Sequence, residues 1–187
     1  MAQQEYLPTR ILHDFVGRVE SLGMKYMLTG SMAMMLYGMF RQTADIDIVV
    51  EFDGRDLIAF ERALQPDYYV PVKSMNDAVS ARRVFNVINI EFAYKIDCVV
   101  RKDSSYHKTA FDRRLRTDYY GREVWIITCE DLILSKLLWA APSRSEKQMT
   151  DVENLMSFGY DAAYTEAWID SLGITEIYLE CKAKSTA

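Results

Sequence analysis

Asp45 and Asp47 stand two residues apart in the run Asp45-Ile46-Asp47-Ile48, and this alternation of acid with apolar residue is the period of a β-strand. On a strand both carboxylates emerge on one face, about 7 Å apart, while Ile46 and Ile48 turn into the core. Two like charges held in this way repel each other. They call for a cation, and carboxylate oxygens suit Mg2+ or Mn2+. A third carboxylate on a neighbouring strand would complete a clamp in which one ion lowers the pKa of an attacking hydroxyl and another steadies a triphosphate. Asp97, in Lys95-Ile96-Asp97-Cys98-Val99, is the best candidate, because an unpaired acid amid apolar strand residues is costly. Glu91 comes second, and it also reads as the outward member of an alternating edge strand.

Upstream, Gly30-Ser31 separates a predicted strand, 25–29, from a predicted buried helix, 32–37, so its backbone N–H groups face a helix N-terminus that favours an anion. Ser31 adds a hydroxyl donor. A Gly-Ser turn is common by itself, and its weight comes from the acids that follow. Arg41, four residues before Asp45, has a guanidinium fork that matches phosphate oxygens. It suits holding the turn, or a salt bridge to a nearby acid, equally well.

These residues need a scaffold, and the hydrophobic pattern describes one. Leu12, Phe15, Val16, Val19 and Leu22 recur at helical spacing between Pro8-Thr9 and Gly23. Strand 45–52 leads to a helix over 53–64 with an Asp cap, and Pro66 and Pro71 mark a loop. Segments 83–92 and 94–100 read as two paired strands, 105–116 as a basic helix and 123–127 as a final strand. Thr128-Cys129-Glu130-Asp131 resembles a capping box that opens a strong helix through Trp139, with further helices over 145–158 and 165–172. The expected fold class is α/β (α+β): a small mixed sheet with helices on its faces over 1–127, then a short helical segment over 128–187 packed on that core.

Composition sets outer limits. Of 187 residues, 50% are hydrophobic and 12% aromatic, enough for a real core, and the net charge is −5. Cys98, Cys129 and Cys181 are odd in number and far apart, which fits reduced thiols of a cytoplasmic protein rather than a disulfide framework. The N-terminal residues lack a basic-then-apolar export pattern, and the longest uncharged run, 26–40, falls short of the roughly 20 apolar residues of a membrane span, so no membrane partner is expected. Charge is distributed unevenly: over 44–67 seven acids face two bases, and over 101–122 seven bases face three acids. A solvated surface shows this split, and so does a chain that binds metal on one side and polyphosphate on the other. Dinucleotide-binding, Walker and nucleophile-elbow patterns are all missing, and with only His13 and His107 a three-His zinc site is impossible.

Gly30-Ser31, then Asp45-Ile46-Asp47-Ile48, then a strand-borne Asp97, resembles the motif set of the polymerase-β-like nucleotidyltransferase superfamily. The stretch Thr29-Gly30-Ser31-Met32-Ala33 through Tyr37-Gly38, Arg41, Thr43 and Asp45-Ile46-Asp47 is most similar to its bacterial abortive-infection and toxin–antitoxin branch. This resemblance implies a nucleoside triphosphate substrate with Mg2+ or Mn2+ on Asp45, Asp47 and Asp97. It also implies phosphates near Gly30, Ser31 and Arg41, and active-site roles for Lys136 and Asp151 on the later helices. Lys136 has Ile133, Leu132 and Ala140 at helical spacing, so its ammonium lies on an apolar face and needs a partner. Nucleotide phosphates would serve, as would Glu130, Asp151 or solvent reached by snorkelling. The implied acceptor is a tRNA end or a partner protein, with a cognate toxin or antitoxin chain as partner; a small antibiotic molecule is an alternative. The basic stretch 101–122, with Tyr106, Tyr119 and Tyr120 interleaved, suits RNA backbone and bases. A non-catalytic binding module on the same fold is the rival reading, and three clustered acids argue against it.

Overall fold

The structure, a computed structural model, describes residues 6–40, 42–52 and 57–185. Helix α1 (Leu7–Ser21) opens with Pro8 in its first turn, buries Ile11, Leu12, Phe15, Val16 and Val19, and ends before Gly23, whose φ of +68° a side chain would strain. Strand β1 (Tyr26–Thr29) follows, then a five-residue helix α2 (Gly30–Met34), a 3-10 turn (Met35–Tyr37) and strand β2 (Asp45–Val50). Next come α3 (Leu57–Leu64), β3 (Tyr68–Tyr69), α4 (Val72–Ala81), and the strands β4 (Val84–Asn89) and β5 (Tyr94–Val100). Helix α5 (Ser105–Asp112) leads to the hairpin β6 (Leu115–Tyr119) and β7 (Arg122–Ile126). Four helices close the described chain: α6 (Cys129–Ala140), α7 (Glu146–Phe158), α8 (Ala162–Leu172) and α9 (Thr175–Ser185).

Among the described residues these strands form one mixed sheet in the order β3-β4-β5-β2-β1-β7-β6. Strand β2 lies at its centre, antiparallel to β1 and parallel to β5. Its burial alternates as the sequence predicts: Ile46, Ile48 and Val50 are buried while Asp45 and Asp47 turn to the other face. On the apolar face, Phe15 of α1 and Phe60 of α3 meet edge to face at 6.1 Å, and Phe60 meets Phe85 of β4 at 6.1 Å. The acid-bearing face is roofed by the C-terminal helices. Leu132, Ile133, Leu134 and Leu137 of α6 are fully buried. Thr128 caps α6 as expected, accepting from the Asp131 N–H at 3.2 Å while its hydroxyl donates to Asp131 Oδ2 at 2.9 Å.

Several segments depart from expectation. Residues 72–81 carry an α-helix with only Met75 and Ala78 buried, too thin a stripe to announce itself in sequence. The expected helix 105–116 stops at Asp112, and 115–119 forms strand β6. It pairs with β7 across Tyr120-Gly121, both with positive φ, the conformation a tight hairpin demands. Helix α9, unforeseen, buries Ile177, Tyr178 and Cys181 on one face while Leu179 stays exposed on the other. The expected Asp cap near 53 lies outside the described residues, as does Arg41. No helix among the described residues is long and apolar enough to cross a membrane.

Candidate active site

The register of β2 builds the site. Asp47 pairs with Asp97 across the parallel β2–β5 junction and with Thr29 across the antiparallel β2–β1 junction. The three acids therefore share one face of the sheet centre, and Gly30-Ser31 leaves the end of β1 beside Asp47. Glu91 is excluded: it lies in the turn between β4 and β5 and lines a different cavity with Arg10, Asp14 and Arg18.

Gly30 has φ +65°, and a Cβ there would overlap the Asp47 carboxylate, 2.6 Å from its Cγ. Ser31, buried, faces the same cleft. Helix α2 spans only five residues before tightening to 3-10 geometry over Met35–Tyr37, so the predicted helix 32–37 is helical throughout but α-helical only to Met34. Its dipole is correspondingly small, and anion affinity at this turn falls to backbone N–H groups and nearby cations.

A cleft of about 540 Å³ opens over the acids. It is lined by Gly30, Ser31, Asp45, Asp47 and Asp97 from the sheet side and by Lys136, Trp139, Lys147 and Gln148 from α6 and α7. The Lys136 ammonium donates to Asp151 Oδ2 at 2.8 Å and to Gln148 Oε1 at 3.1 Å. Both partners of this ion pair are buried, at 6% and 7% side-chain exposure. One of the alternatives open in sequence is thus realised: Asp151 partners Lys136. Lys136 nevertheless lines the cleft, and its charge is felt by Asp47.

Electrostatics at the centre are unfavourable to three ionised acids. The Asp47 carboxyl is pushed up to about 6, first by burial and then by its neighbours Asp45 and Asp97, with Lys136 and Lys95 opposing. Lys95 bridges Asp45 at 3.2 Å and Asp97 at 2.9 Å. Asn86 Nδ2 donates to Asp97, and the Thr43 hydroxyl donates to Asp45 Oδ1 at 3.2 Å. Across the cleft, the His107 imidazole is pushed down to about 4 by burial and by Lys102 and Arg101, so it is neutral at pH 7.

The acids suit a divalent cation by donor chemistry and by charge, since Lys95 already holds a positive group between Asp45 and Asp97. They are not gathered on one point: among the described residues no three His, Cys, Asp or Glu side chains converge as a metal cluster. Admission of a cation requires Lys95, 42% exposed, to withdraw toward solvent.

Asn86 and Gln148 carry no signal in sequence, and Lys95, Thr43 and Trp139 stand in its motifs without a predicted role at the site. Lys95 had a signal, standing two residues before Asp97 and so on the same strand face. The basic stretch 101–122 also differs from expectation. Arg101 pairs with Glu51 and Asp103, and Arg113 with Glu130 and Asp131. Arg116 pairs with Glu123, Arg122 with Glu20, and Arg114 lies over Phe111 and Trp125. Most of its charge is spent within the fold.

The fold is shared with solved structures of nucleotidyltransferases. The solution structure of the antibiotic-resistance factor ANT(2'')-Ia superposes with a TM-score of 0.60 at 14% identity, covering 91% of this chain and 94% of that one. A crystal structure of ANT(2'')-Ia in complex with adenylyl-2''-tobramycin gives a TM-score of 0.52 at 14% identity, covering 97% and 98% of the two chains. A Thermotoga maritima protein assigned to the nucleotidyltransferases gives 0.51 at 16% identity, covering 80% and 94%. No family model matches the sequence. No curated protein matches it.

Proposed function

We propose that this protein is a metal-dependent nucleotidyltransferase, which passes a nucleoside monophosphate from a nucleoside triphosphate to an acceptor hydroxyl with release of pyrophosphate. The observation that carries this reading is the register that sets Asp47 opposite Asp97 and beside Gly30, under a cleft with Lys136 in its wall. Gly30 leaves room for the Asp47 carboxylate, and the Gly30-Ser31 turn and Lys136 offer donors and charge to the phosphates. Asp151 and Gln148 orient the Lys136 ammonium. Asp97, held by Asn86 and Lys95, accepts the proton of the acceptor hydroxyl. Mg2+ or Mn2+ bound by Asp45, Asp47 and Asp97 would supply charge neutralisation at the phosphates and acidify that hydroxyl.

For the acceptor, internal pairing of Arg101, Arg113, Arg116 and Arg122 favours a small polyhydroxylated molecule over an RNA backbone. The solved ANT(2'')-Ia complex with adenylylated tobramycin supports the same choice by analogy of fold. A tRNA end or a partner protein of a toxin–antitoxin pair is the alternative, and Lys102 and Lys147 at the cleft would then meet it.

The test is incubation of purified protein with each labelled triphosphate, Mg2+ or Mn2+, and aminoglycosides, tRNA or cell protein as acceptors. Transfer of label that is lost in Asp45→Asn and Asp47→Asn is the expected result. A protein that binds no triphosphate, or binds it equally well without either acid, is not this enzyme.

A further inference from the structure

Of the three tryptophans, two are accounted for by the fold. Trp125 lies against Arg114 at 4.8 Å and Arg116 at 5.8 Å, and Trp168 meets Tyr106 edge to face at 5.5 Å. Trp139 is different. It is 70% exposed, and among the described residues no ring and no cation stacks on it. Leaving so large an apolar ring in water is unfavourable, and its position is not random: it lines the same cleft as Asp47 and Lys136.

Trp139 is three residues beyond Lys136 on α6, about 4.5 Å further along the helix axis and on the adjoining face. Ser135, one helical turn before it, shares its stripe and also lines the cleft. Gly30 and Ser31 come from α2 and Lys136 and Trp139 from α6, whereas Asp97, Lys102 and His107 come from β5, the turn after it and α5. The ring therefore belongs with the groups suited to triphosphate, not with those suited to the acceptor. A flat apolar surface one helical turn from phosphate-binding groups matches a molecule with phosphates at one end and an aromatic ring at the other.

We infer that Trp139 is the stacking surface for the nucleobase of the bound nucleoside triphosphate. This assignment rests on the nucleotidyltransferase reading. A π-face accepts any base, so stacking on Trp139 contributes affinity and orientation while discriminating weakly among the four nucleotides.

The experiment compares ATP with inorganic tripolyphosphate, which carries the charge but no base, by calorimetry in Mg2+ on wild type, Trp139→Ala and Trp139→Phe. Trp139→Ala is expected to weaken ATP by about tenfold or more and to leave tripolyphosphate unchanged, as loss of one base-aromatic stack requires. Trp139→Phe should retain most of the ATP affinity and abolish the nucleotide-dependent quenching of tryptophan fluorescence. Because the side chain is exposed, both variants should melt with wild type, which separates binding from folding. Equal weakening of both ligands in Trp139→Ala, unchanged ATP affinity, or quenching that persists in Trp139→Phe overturns the assignment and leaves nucleotide binding standing. Wild type that binds neither ligand overturns the nucleotidyltransferase reading and this assignment together.

Discussion

Asp47 fills the space that a side chain on Gly30 would need: a Cβ on Gly30 would lie 2.6 Å from Cγ and 2.8 Å from Cβ of Asp47. The two are brought together by the β1–β2 register, in which Thr29 pairs with Asp47. Glycine is therefore required twice, for this approach and for its φ of +65°. Gly30→Ala is expected to lose about 2 kcal/mol or more, part from the left-handed backbone and part from the displaced carboxylate, and to lose triphosphate binding. Thermal melts and nucleotide titration check this; a variant with parental melting temperature and affinity would show that Asp47 does not depend on the gap.

Asp47 also makes stability depend on pH. Its folded value of about 6 lies above the ordinary 3.8, so between these the folded chain binds more protons than the unfolded one, and stability falls as pH rises through the window. In chelator, Asp47→Asn should raise stability by about 1–3 kcal/mol at pH 7.5 and by only about a third as much at pH 4.5, where the folded carboxyl is protonated while the unfolded one is still largely ionised. Melting curves at the two pH values decide the matter, and equal gains at both would contradict the burial-driven shift.

Lys95 bridges Asp45 and Asp97 where a divalent cation would compete with it. Lys95→Gln leaves two acids without this counter-charge, so the variant should melt lower in chelator and gain more from added Mg2+ than wild type does. A Mg2+-dependent gain that is unchanged or smaller in the variant would show that ammonium and metal do not share the place.

The Lys136–Asp151 pair is buried, and removing one member leaves a charge poorly compensated. Asp151→Ala should cost about 3–5 kcal/mol, whereas the double change Lys136→Met with Asp151→Leu should recover most of that stability without recovering triphosphate binding. Denaturant unfolding together with nucleotide titration reports the two effects separately. Recovery of binding in the double variant would assign the pair to structure alone.

Arg113 belongs to the fold more than to any nucleic-acid surface. It lies over the Tyr164 ring at 3.7 Å and faces Asp131, whose side chain is fully buried. Arg113→Glu should therefore destabilise the chain by about 2–4 kcal/mol through like charge beside Asp131. The same charge reversal at Lys102 should be nearly silent in unfolding experiments. Comparable melting temperatures for the two variants would overturn this reading.

Elements with one clear period were legible in sequence. Helix α1 and strand β2 carry unbroken apolar spacing, and Thr128 with Asp131 announces the start of α6. Segments stabilised mainly by their neighbours were not. Helix α4 rests on two buried side chains, β6 exists as the hairpin partner of β7, and the buried stripe of α9, Ile177, Tyr178 and Cys181, is blurred in sequence by Leu179, which stays exposed.

For the candidate site, local spacing by itself determined that Asp45 and Asp47 share a face and that Gly30 breaks the chain after a strand, because strand alternation and glycine's backbone freedom are properties of a few consecutive residues. Only the tertiary structure decided that Asp97 lies opposite Asp47, that Lys95 spans the acids, that Asp151 holds Lys136, and that the arginines of 101–122 are already paired. Those relationships join residues distant in the chain, through strand register, helix packing and competition among charges for partners, and no short window of sequence contains both sides of such a contact.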